Sequence, residues 1–234
     1  MTYDNITKAI FISRPNRFIA KVHLFDNQEG NAKEETVHVK NTGRCKELLI
    51  PGCTVYLEKS NNPNRKTLYD LIAVEKETSQ GTKLFNIDSQ APNKVVLEWL
   101  KKQDYSLIKP EYTFGKSRFD FYLEKIDEKT GKTGKTEKIL MEVKGCTLEI
   151  DGIGYFPDAP TERGVKHLNE LAAAISEGYK GILAFVIQME GVFEVRPNRK
   201  THPEFAETLE KAKASGVEVL FLQCRVKADE LEIV

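Results

Sequence analysis

Two segments of this chain decide its fold and its chemistry: KSRFDFYL at residues 116–123 and ILMEVKG at residues 139–145. Both are rich in aromatic and branched apolar residues, which predicts β-strands. Side chains on a strand alternate between its two faces, so residues two apart share a face. Glu142 and Lys144 are therefore predicted on one face of the second strand. If the two segments pair as a hairpin, Asp120 joins them on the same side of the sheet.

Alternation also predicts the neighbours of Asp120 within the first strand. Arg118 and Tyr122 are expected on the face of Asp120, and Phe119 and Phe121 on the opposite face. We expect Arg118 to lie beside the predicted site rather than to take part in its chemistry.

Two carboxylates beside an amine are the functional groups of a metal-dependent phosphodiesterase site. The carboxylates of Asp120 and Glu142 suit a hard cation such as Mg²⁺ or Mn²⁺, and Lys144 would hold a phosphate oxygen or position the attacking water. Glu111 is predicted as a third metal ligand ahead of Glu98, because it is closer to Asp120 along the chain. Glu-x-Lys on a strand is also an ordinary ion pair in a chain of which 30% is charged.

The composition excludes several classes of protein. A chain of 234 residues with 40% hydrophobic content supports one large domain or two modest ones and argues against disorder. No apolar run approaches the roughly 20 residues of a membrane helix, and the N-terminus lacks the pattern of a signal peptide. The four cysteines show no CxxC pairing, so we expect free thiols in the cytoplasm. The net charge of zero weighs against tight non-specific nucleic-acid binding.

The first third of the chain reads as short strands separated by turns. Pro-Asn, Asn-Thr-Gly and Asn-Asn-Pro-Asn signals divide its β-rich segments. We predict strands at residues 8–15, 18–25, 35–41, 53–60 and 67–75. Five short strands suit an oligonucleotide-binding (OB) barrel, with an SH3-like barrel as the alternative. Residues 1–82 are therefore assigned to an OB-like β-barrel.

Residues 83–234 are predicted to form an α/β domain with a mixed sheet. The spacing of apolar residues predicts helices at residues 91–103, 161–177 and 203–215. Strands are predicted at residues 106–114, 117–125, 138–144, 181–188 and 217–224, the fourth of them covered on both faces. A polar hairpin loop between residues 125 and 138 and a flexible, glycine-containing loop at residues 145–164 connect these elements. The order of helices and strands indicates a mixed sheet.

The helix near residue 161 is expected to begin among cations. Asp158 or Thr161 would cap it, and Arg163 and Lys166 lie in its first turns. A helix N-terminus flanked by cations favours phosphate, although the same residues also fit a solvated, charged helix start. His167 lies at the edge of the apolar stripe, where a structural hydrogen bond is favoured over catalysis.

A second group of cations belongs to the barrel. Arg44 and Lys46 lie at a strand-to-turn junction beside Gly43, and Arg14 and Arg17 bracket the Pro15-Asn16 turn. Such residues contact phosphates of the nucleic-acid backbone, so we predict a nucleic-acid surface here.

Several segments together resemble a known family. VKNTGRCKELL, the KSRFDF strand, MEVKG and above all GYFPDAPTERGVKHLNEL are similar to the sugar fermentation stimulation protein A family of prokaryotes, over essentially the whole chain. The resemblance implies an N-terminal OB-type barrel and a C-terminal restriction-endonuclease-like domain of the PD-(D/E)xK type. It also implies DNA binding and a role in regulating sugar metabolism, notably that of maltose. On that pattern Asp120 is the motif aspartate, Glu142 and Lys144 form the E-x-K, and Phe119 replaces the proline.

The leading hypothesis is a cytoplasmic protein that binds duplex DNA with weak sequence preference. Its second domain would carry a phosphodiesterase site that depends on Mg²⁺ or Mn²⁺. The alternative is a non-catalytic DNA-binding regulator of sugar metabolism that keeps the nuclease fold as a scaffold. A sugar-binding module has little support, because the lone Trp99 offers no aromatic platform. A homodimer is left open.

Overall fold

The computed structural model describes residues 1–25, 32–41, 43–78, 81–126 and 136–234. Residues 127–135, which make up most of the predicted polar hairpin loop, lie outside these ranges. Within them, no helix is long and apolar enough to cross a membrane.

The N-terminal part of the chain is a small β-barrel. Its strands are β1 (Ile6–Asn16), β2 (Ile19–Phe25), β3 (Ala32–Val39), β4 (Thr54–Lys59), β5 (Tyr69–Thr78) and β6 (Gly81–Asn86). They are ordered β3-β2-β1-β4-β5-β6, and β3 also pairs with β5. This parallel pairing joins His38 to Asp70 and Val39 to Leu71, and so closes the first five strands into the predicted OB-like barrel.

The sixth strand was not predicted. β6 pairs antiparallel with β5 from Ala73↔Asn86 to Thr78↔Gly81 and extends the barrel sheet toward the second half of the chain. It crosses the predicted division after residue 82, which itself stays a prediction.

The second half of the chain is an α/β domain with a mixed sheet, as predicted. The sheet is ordered β15-β14-β12-β9-β8-β7. β12 runs parallel to β9 and β14, whereas β8 runs antiparallel to β7 and β9. Its elements are α1 (Ala91–Leu100), β7 (Leu107–Phe114), β8 (Ser117–Ile126), β9 (Thr136–Cys146), α2 (Glu162–Ser176), β12 (Lys180–Ile187), α3 (Pro203–Ala214), β14 (Glu218–Val226) and β15 (Leu231–Ile233).

The helices cover both faces of this sheet. Along β12, alternate side chains enter two different cores, which is why the strand is apolar from Gly181 to Ile187. Ile182, Ala184 and Val186 pack on the side of α1, and Leu183, Phe185 and Ile187 on the side of α2 and α3. The strand predicted to be covered on both faces is confirmed.

The segment predicted as a flexible loop at residues 145–164 contains strands instead. β10 (Leu148–Ile150) and β11 (Ile153–Phe156) form a hairpin, and β11 pairs in parallel with β13 (Val195–Pro197). Asp151 and Gly152 have φ angles of +52° and +80°, as a two-residue hairpin turn requires. Asp-Gly between two isoleucines was the sequence signal for this hairpin.

The two halves of the chain share one core and a buried polar network. A single hydrophobic cluster contains barrel residues such as Phe11 together with α/β residues such as Phe185. Between the halves, Gln188 donates a hydrogen bond of 2.9 Å to the side chain of Asn86 and one of 3.1 Å to the carbonyl of Asp88. The barrel and the α/β domain are therefore packed as one body.

Candidate active site

Asp120 lies where β8, β9 and α1 meet. Phe121 pairs with Met141 across the two strands, so Asp120 lies just beyond the end of this regular pairing. One carboxylate oxygen of Asp120 accepts a hydrogen bond of 2.7 Å from the backbone N–H of Val143. The other accepts a hydrogen bond of 2.7 Å from the side-chain amide of Asn93 on α1. The predicted pairing of the two strands thus brings the Asp120 strand against the Glu-x-Lys strand.

The alternation predicted around Asp120 is wrong at Phe119. Phe119 packs in the core on the α2 side, whereas Phe121 packs on the α1 side. The backbone beside Asp120 is irregular, because Glu111, which faces it on β7, has a φ of +54° that non-glycine residues rarely adopt. Asp120 consequently reaches Asn93 on α1, while Glu142 reaches α2.

Glu142 is a buried carboxylate whose two oxygens differ in their hydrogen bonding. It is only 2% exposed. Its Oε1 accepts hydrogen bonds from the Lys144 ammonium, at 2.5 Å, and from Nδ1 of His167. Its Oε2 is buried and has no hydrogen-bond partner in the described part of the chain. A buried acceptor without a partner is costly, on the order of 1–3 kcal/mol, so this oxygen is available to a ligand.

Two neighbouring hydrogen-bond donors favour the ionised form of Glu142. Burial alone would raise its pKa, but the hydrogen bond from His167 and the charge of Lys144 outweigh burial and lower it. The pKa of Asp120 is raised, because burial and the charge of Glu142 outweigh the hydrogen bond from Val143. The two carboxyl groups are therefore close enough to interact electrostatically.

His167 holds the Glu142 carboxylate from α2. It is 4% exposed, and its Nε2 accepts a hydrogen bond of 3.4 Å from Nε of Arg163, which leaves the Nδ1 proton for Glu142. The structural hydrogen bond expected for His167 is present, and its partner is the central carboxylate of the site. Nothing in the sequence indicated that partner, because His167 and Glu142 lie on different elements.

The predicted third metal ligands do not join Asp120 and Glu142. Glu111 is exposed, and its carboxylate lies 3.7 Å from Arg118. Glu98 pairs instead with the N-terminal amine of Met1 at 2.7 Å. Among the described residues, no three His, Cys, Asp or Glu side chains gather around one point. The donor set that fits a cation is the unpartnered Glu142 Oε2 with Asp120, and Mg²⁺ commonly completes such a set with water.

Arg14, predicted to contact nucleic acid, instead binds backbone carbonyls of the barrel's own turns. Its guanidinium donates hydrogen bonds of 2.6–2.9 Å to four backbone carbonyls, those of Arg17, Asn41, Gly43 and Arg44. Both terminal nitrogens are thereby occupied, so we leave Arg14 out of the nucleic-acid surface and assign it a structural role.

Replacing Arg14 with lysine is expected to lower the free energy of unfolding by about 1 kcal/mol, because an ammonium cannot reproduce the planar fork of donors. Arg17→Lys is the matched control and should change stability little, since Arg17 is exposed and packs over the Phe18 ring at 4.7 Å. Urea unfolding of both variants measures the difference. Equal stabilities would contradict the role given to Arg14.

The other predicted cations remain on the surface: Arg17, Arg44, Lys46, Arg163 and Lys166 are all exposed. The barrel loop bearing Arg44 lies against the segment before α2, because the backbone N–H of Cys45 donates to the Asp158 carboxylate at 2.9 Å. The helix cap is therefore Thr161, whose hydroxyl accepts from the N–H of Gly164 at 3.0 Å.

Comparison with known proteins assigns the chain to a family. Residues 12–82 match the family model described as the SfsA N-terminal OB domain, and residues 90–230 match the one described as the sugar fermentation stimulation protein RE domain. A sugar fermentation stimulation protein homolog of Clostridium beijerinckii is 52% identical over 237 residues, covering 100% of this chain and 96% of the relative. The chain belongs to the sugar fermentation stimulation protein family. Its homolog in Desulfitobacterium hafniense is 51% identical over 235 residues, covering 99% of this chain and 95% of that protein.

A solved member of the sugar fermentation stimulation family has the same fold. The structure of Pyrococcus furiosus SfsA in complex with Ca²⁺ superimposes with a TM-score of 0.78 at 27% identity, covering 100% of this chain and 96% of that chain. The OB barrel followed by an α/β domain is thus the family architecture, and the resemblance found in the sequence blocks is confirmed.

Proposed function

We propose that this member of the sugar fermentation stimulation family binds DNA and carries a divalent-metal phosphodiesterase site in its α/β domain. The observation that carries the proposal is the Glu142 carboxylate. It is buried, ionised, held through Oε1 by Lys144 and His167, and left with an unpartnered Oε2. An oxygen of this kind, close enough to Asp120 to raise its pKa, supports a bound cation.

Mg²⁺ or Mn²⁺, held by Asp120 and Glu142, would supply a bound water of lowered pKa and neutralise charge on the phosphate. The P. furiosus SfsA structure is a complex with Ca²⁺, which supports a divalent cation in this fold. Lys144, 17% exposed at its side chain, would orient the water or stabilise the negative charge that develops on the phosphate.

The exposed cations would position the nucleic-acid backbone. Arg44 and Lys46 on the barrel and Arg163 and Lys166 on α2 belong to surfaces joined through the contact of Cys45 with Asp158. Such contacts fix the register of a strand but carry no sequence information, which supports a weak sequence preference. All four cysteines are free thiols, in keeping with function in a reducing cytoplasm.

The second candidate function is a non-catalytic DNA-binding regulator of sugar metabolism. The observation that favours it is that Glu111 and Glu98 are engaged elsewhere, which leaves two acidic side chains at the site within the described ranges. In this case the same surface would bind DNA, and Glu142 would be a structural remnant.

A cleavage and binding assay separates the two. The purified protein is incubated with supercoiled, linear and single-stranded DNA and with RNA, in Mg²⁺, Mn²⁺ or EDTA. Cleavage that EDTA abolishes and Mg²⁺ or Mn²⁺ restores is expected. Intact, salt-sensitive binding without cleavage of any substrate would overturn the catalytic proposal and favour the regulator.

His167 is expected to act as a positioning residue for Glu142. His167→Gln should lower metal-dependent cleavage by about 10- to 100-fold, as removal of a hydrogen-bond partner of a metal ligand does. His167→Asn should recover much of the loss, because the asparagine amide nitrogen occupies the place of Nδ1 and donates to the same carboxylate oxygen.

The matched pair also distinguishes positioning from stability. Both substitutions remove the imidazole, so both should lower the melting temperature, whereas His167→Gln should weaken the Mn²⁺ affinity measured by calorimetry much more than His167→Asn does. Equal Mn²⁺ affinities for the two variants would show that His167 supports the fold alone.

A further inference from the structure

A surface pocket lies beside the Glu142 site and is lined mainly by cations. Lys116 comes from the turn between β7 and β8, Ser117 and Arg118 from the start of β8, and Arg163 and Lys166 from the first turns of α2. His167 also lines it, so the imidazole that holds Glu142 on one side faces this pocket on another. The pocket thus adjoins the Glu142 carboxylate through His167, and its other lining residues are not part of the Glu142 site.

Ser117 points to a ligand in this pocket. The residue is 6% exposed, and its hydroxyl is buried with no hydrogen-bond partner among the residues that the structure describes. Buried hydroxyls are nearly always paired, because losing water without gaining a partner is costly. A hydroxyl at the wall of a cationic pocket is suited to donate to an anionic oxygen.

The charges at the pocket favour an anion. Lys116, Arg118, Arg163 and Lys166 face a single acid of its lining, Glu162. The acidic partners of two of these cations are weak, since Arg118 lies 3.7 Å from Glu111 and Lys166 lies 3.8 Å from Glu170, all at partly or fully exposed positions. Lys166 also donates a hydrogen bond of 3.2 Å to the backbone carbonyl of Lys116, which holds its ammonium at the pocket without neutralising its charge.

Arg163 adds geometric selectivity. It contacts His167 through Nε, and within the described ranges its two terminal nitrogens have no hydrogen-bond partner, so they are available for a fork of two parallel hydrogen bonds. That arrangement matches the oxygens of a phosphate.

We propose that this pocket binds a non-scissile phosphate of the nucleic-acid strand, next to the phosphodiester that Asp120 and Glu142 would act on. The inference rests on the proposed function in one respect, that the ligand is a nucleic-acid strand. It does not require that the protein cleaves this strand. The bound phosphate is either an internal phosphate of the strand or one at its 5′ end. In both cases a phosphate oxygen would accept hydrogen bonds from the cations and the hydroxyl of the pocket, namely Lys116, Ser117, Arg163 and Lys166.

Binding in EDTA tests the pocket without any cleavage. Fluorescence anisotropy of a labelled oligonucleotide is measured over a range of salt concentrations for the wild type, Lys116→Gln, Arg163→Gln and Ser117→Ala. The two cation variants should weaken binding by about 5- to 10-fold and reduce the slope of log affinity against log salt by about 1 each. Ser117→Ala should weaken binding by about 3-fold with the slope unchanged, because it removes a neutral donor.

Lys213→Gln is the matched control. Lys213 is exposed near the end of α3, and α3 begins beside the start of α2, where the N–H of Thr161 contacts His202. Gly216, just after α3, lies beside Ile175 near the end of α2. The two helices therefore run side by side in the same direction, and Lys213 lies at the end opposite to the pocket. Its substitution should leave both affinity and slope unchanged.

The outcomes separate this proposal from the nuclease. A 5′-phosphorylated oligonucleotide that binds more tightly than its 5′-hydroxyl form places a terminal phosphate in the pocket, and equal binding places an internal one. Wild-type-like affinity and slope in all three variants, with melting curves confirming their fold, would overturn the proposal even if the protein cuts DNA. Weakened binding in a protein that cuts nothing would uphold the pocket and reject the nuclease.

Discussion

Replacement of Asp120 by alanine is expected to lower the rate of metal-dependent cleavage by about 10³-fold, because several kcal/mol of metal-derived stabilisation depend on the paired carboxylates. The variant loses one of the two candidate metal ligands while Glu142 keeps its contacts with Lys144 and His167. DNA affinity in EDTA should stay within about 2-fold of the wild type, since backbone contacts come from surface cations. Single-turnover cleavage and anisotropy measure the two effects.

Lys144→Ala should give a comparable loss of cleavage, because the ammonium is the cation nearest to the Glu142 carboxylate, at 2.5 Å. Lys138→Ala is the matched control on the same strand. Lys138 is exposed and lies 6.0 Å from the centre of the Tyr179 ring, so its loss should leave cleavage unchanged. Wild-type activity in both the Asp120 and Lys144 variants would reject the assigned site.

The acid side of the pH profile gives a second test of Asp120. Its pKa is raised, by burial first and by the charge of Glu142 second, so it takes up a proton at a higher pH than an exposed aspartate. Metal binding requires the deprotonated form. On acidification, cleavage should therefore begin to decline at a higher pH than it would with a carboxylate of ordinary pKa. Because Mn²⁺ competes with the proton for Asp120, the decline should shift to lower pH as the Mn²⁺ concentration is increased.

The second large effect is expected at the seam of the barrel. Asp70, 8% exposed at its side chain, accepts hydrogen bonds of 2.9 and 2.6 Å from Arg65 and contacts His38 at 2.9 Å and Lys40 at 3.3 Å. His38 and Asp70 are also a backbone pair of the β3–β5 closure. Asp70→Asn leaves three basic side chains around a neutral group and should lower the free energy of unfolding by about 2 kcal/mol.

The effect has a defined pH dependence. Burial alone would raise the pKa of Asp70, but hydrogen bonds from Arg65 and His38 and the charge of Lys40 lower it from 3.8 to about 2. A depressed pKa stabilises the folded state above the unfolded-state pKa and loses this contribution as the pH falls through the folded-state value. The difference between wild type and Asp70→Asn should therefore be full above about pH 4 and shrink toward pH 2.

Urea unfolding at a series of pH values measures this difference. Asp104→Asn serves as the control, because Asp104 is exposed and its replacement should change stability little at any pH. A constant difference for Asp70→Asn down to pH 2 would contradict the assigned ion pairs.

Much of the fold was predictable because its elements are bounded by strong local signals. The barrel strands end at Pro, Asn and Gly turns, and β12 is apolar on both faces because two helical layers cover it. The strands that were missed, β6, β10, β11, β13 and β15, are short or depend on partners distant in sequence. A six-residue strand such as β6 has no pattern of its own until β5 pairs with it.

The site was predictable where its residues share an element. Glu142 and Lys144 lie two apart on one strand, so their contact follows from alternation. Contacts between different elements could not be predicted from the sequence. The hydrogen bond between His167 and Glu142 joins a helix to a strand. The four carbonyls around Arg14 come from two separate turns. Phe119 and Phe121 lie on opposite sides of the sheet beside the irregular backbone at Glu111, and no local sequence pattern predicts such an irregularity.

The packing of the barrel against the α/β domain has a geometric consequence. Gln188 is hydrogen-bonded to Asn86 and Asp88, and Cys45 to Asp158, so in the part of the chain that the structure describes the two units are held in one relative position. On the proposed function, a nucleic-acid strand that contacts both units would span a fixed distance between them. The length of nucleic acid that the protein protects should then be the same for every DNA sequence, and nuclease footprinting would measure it.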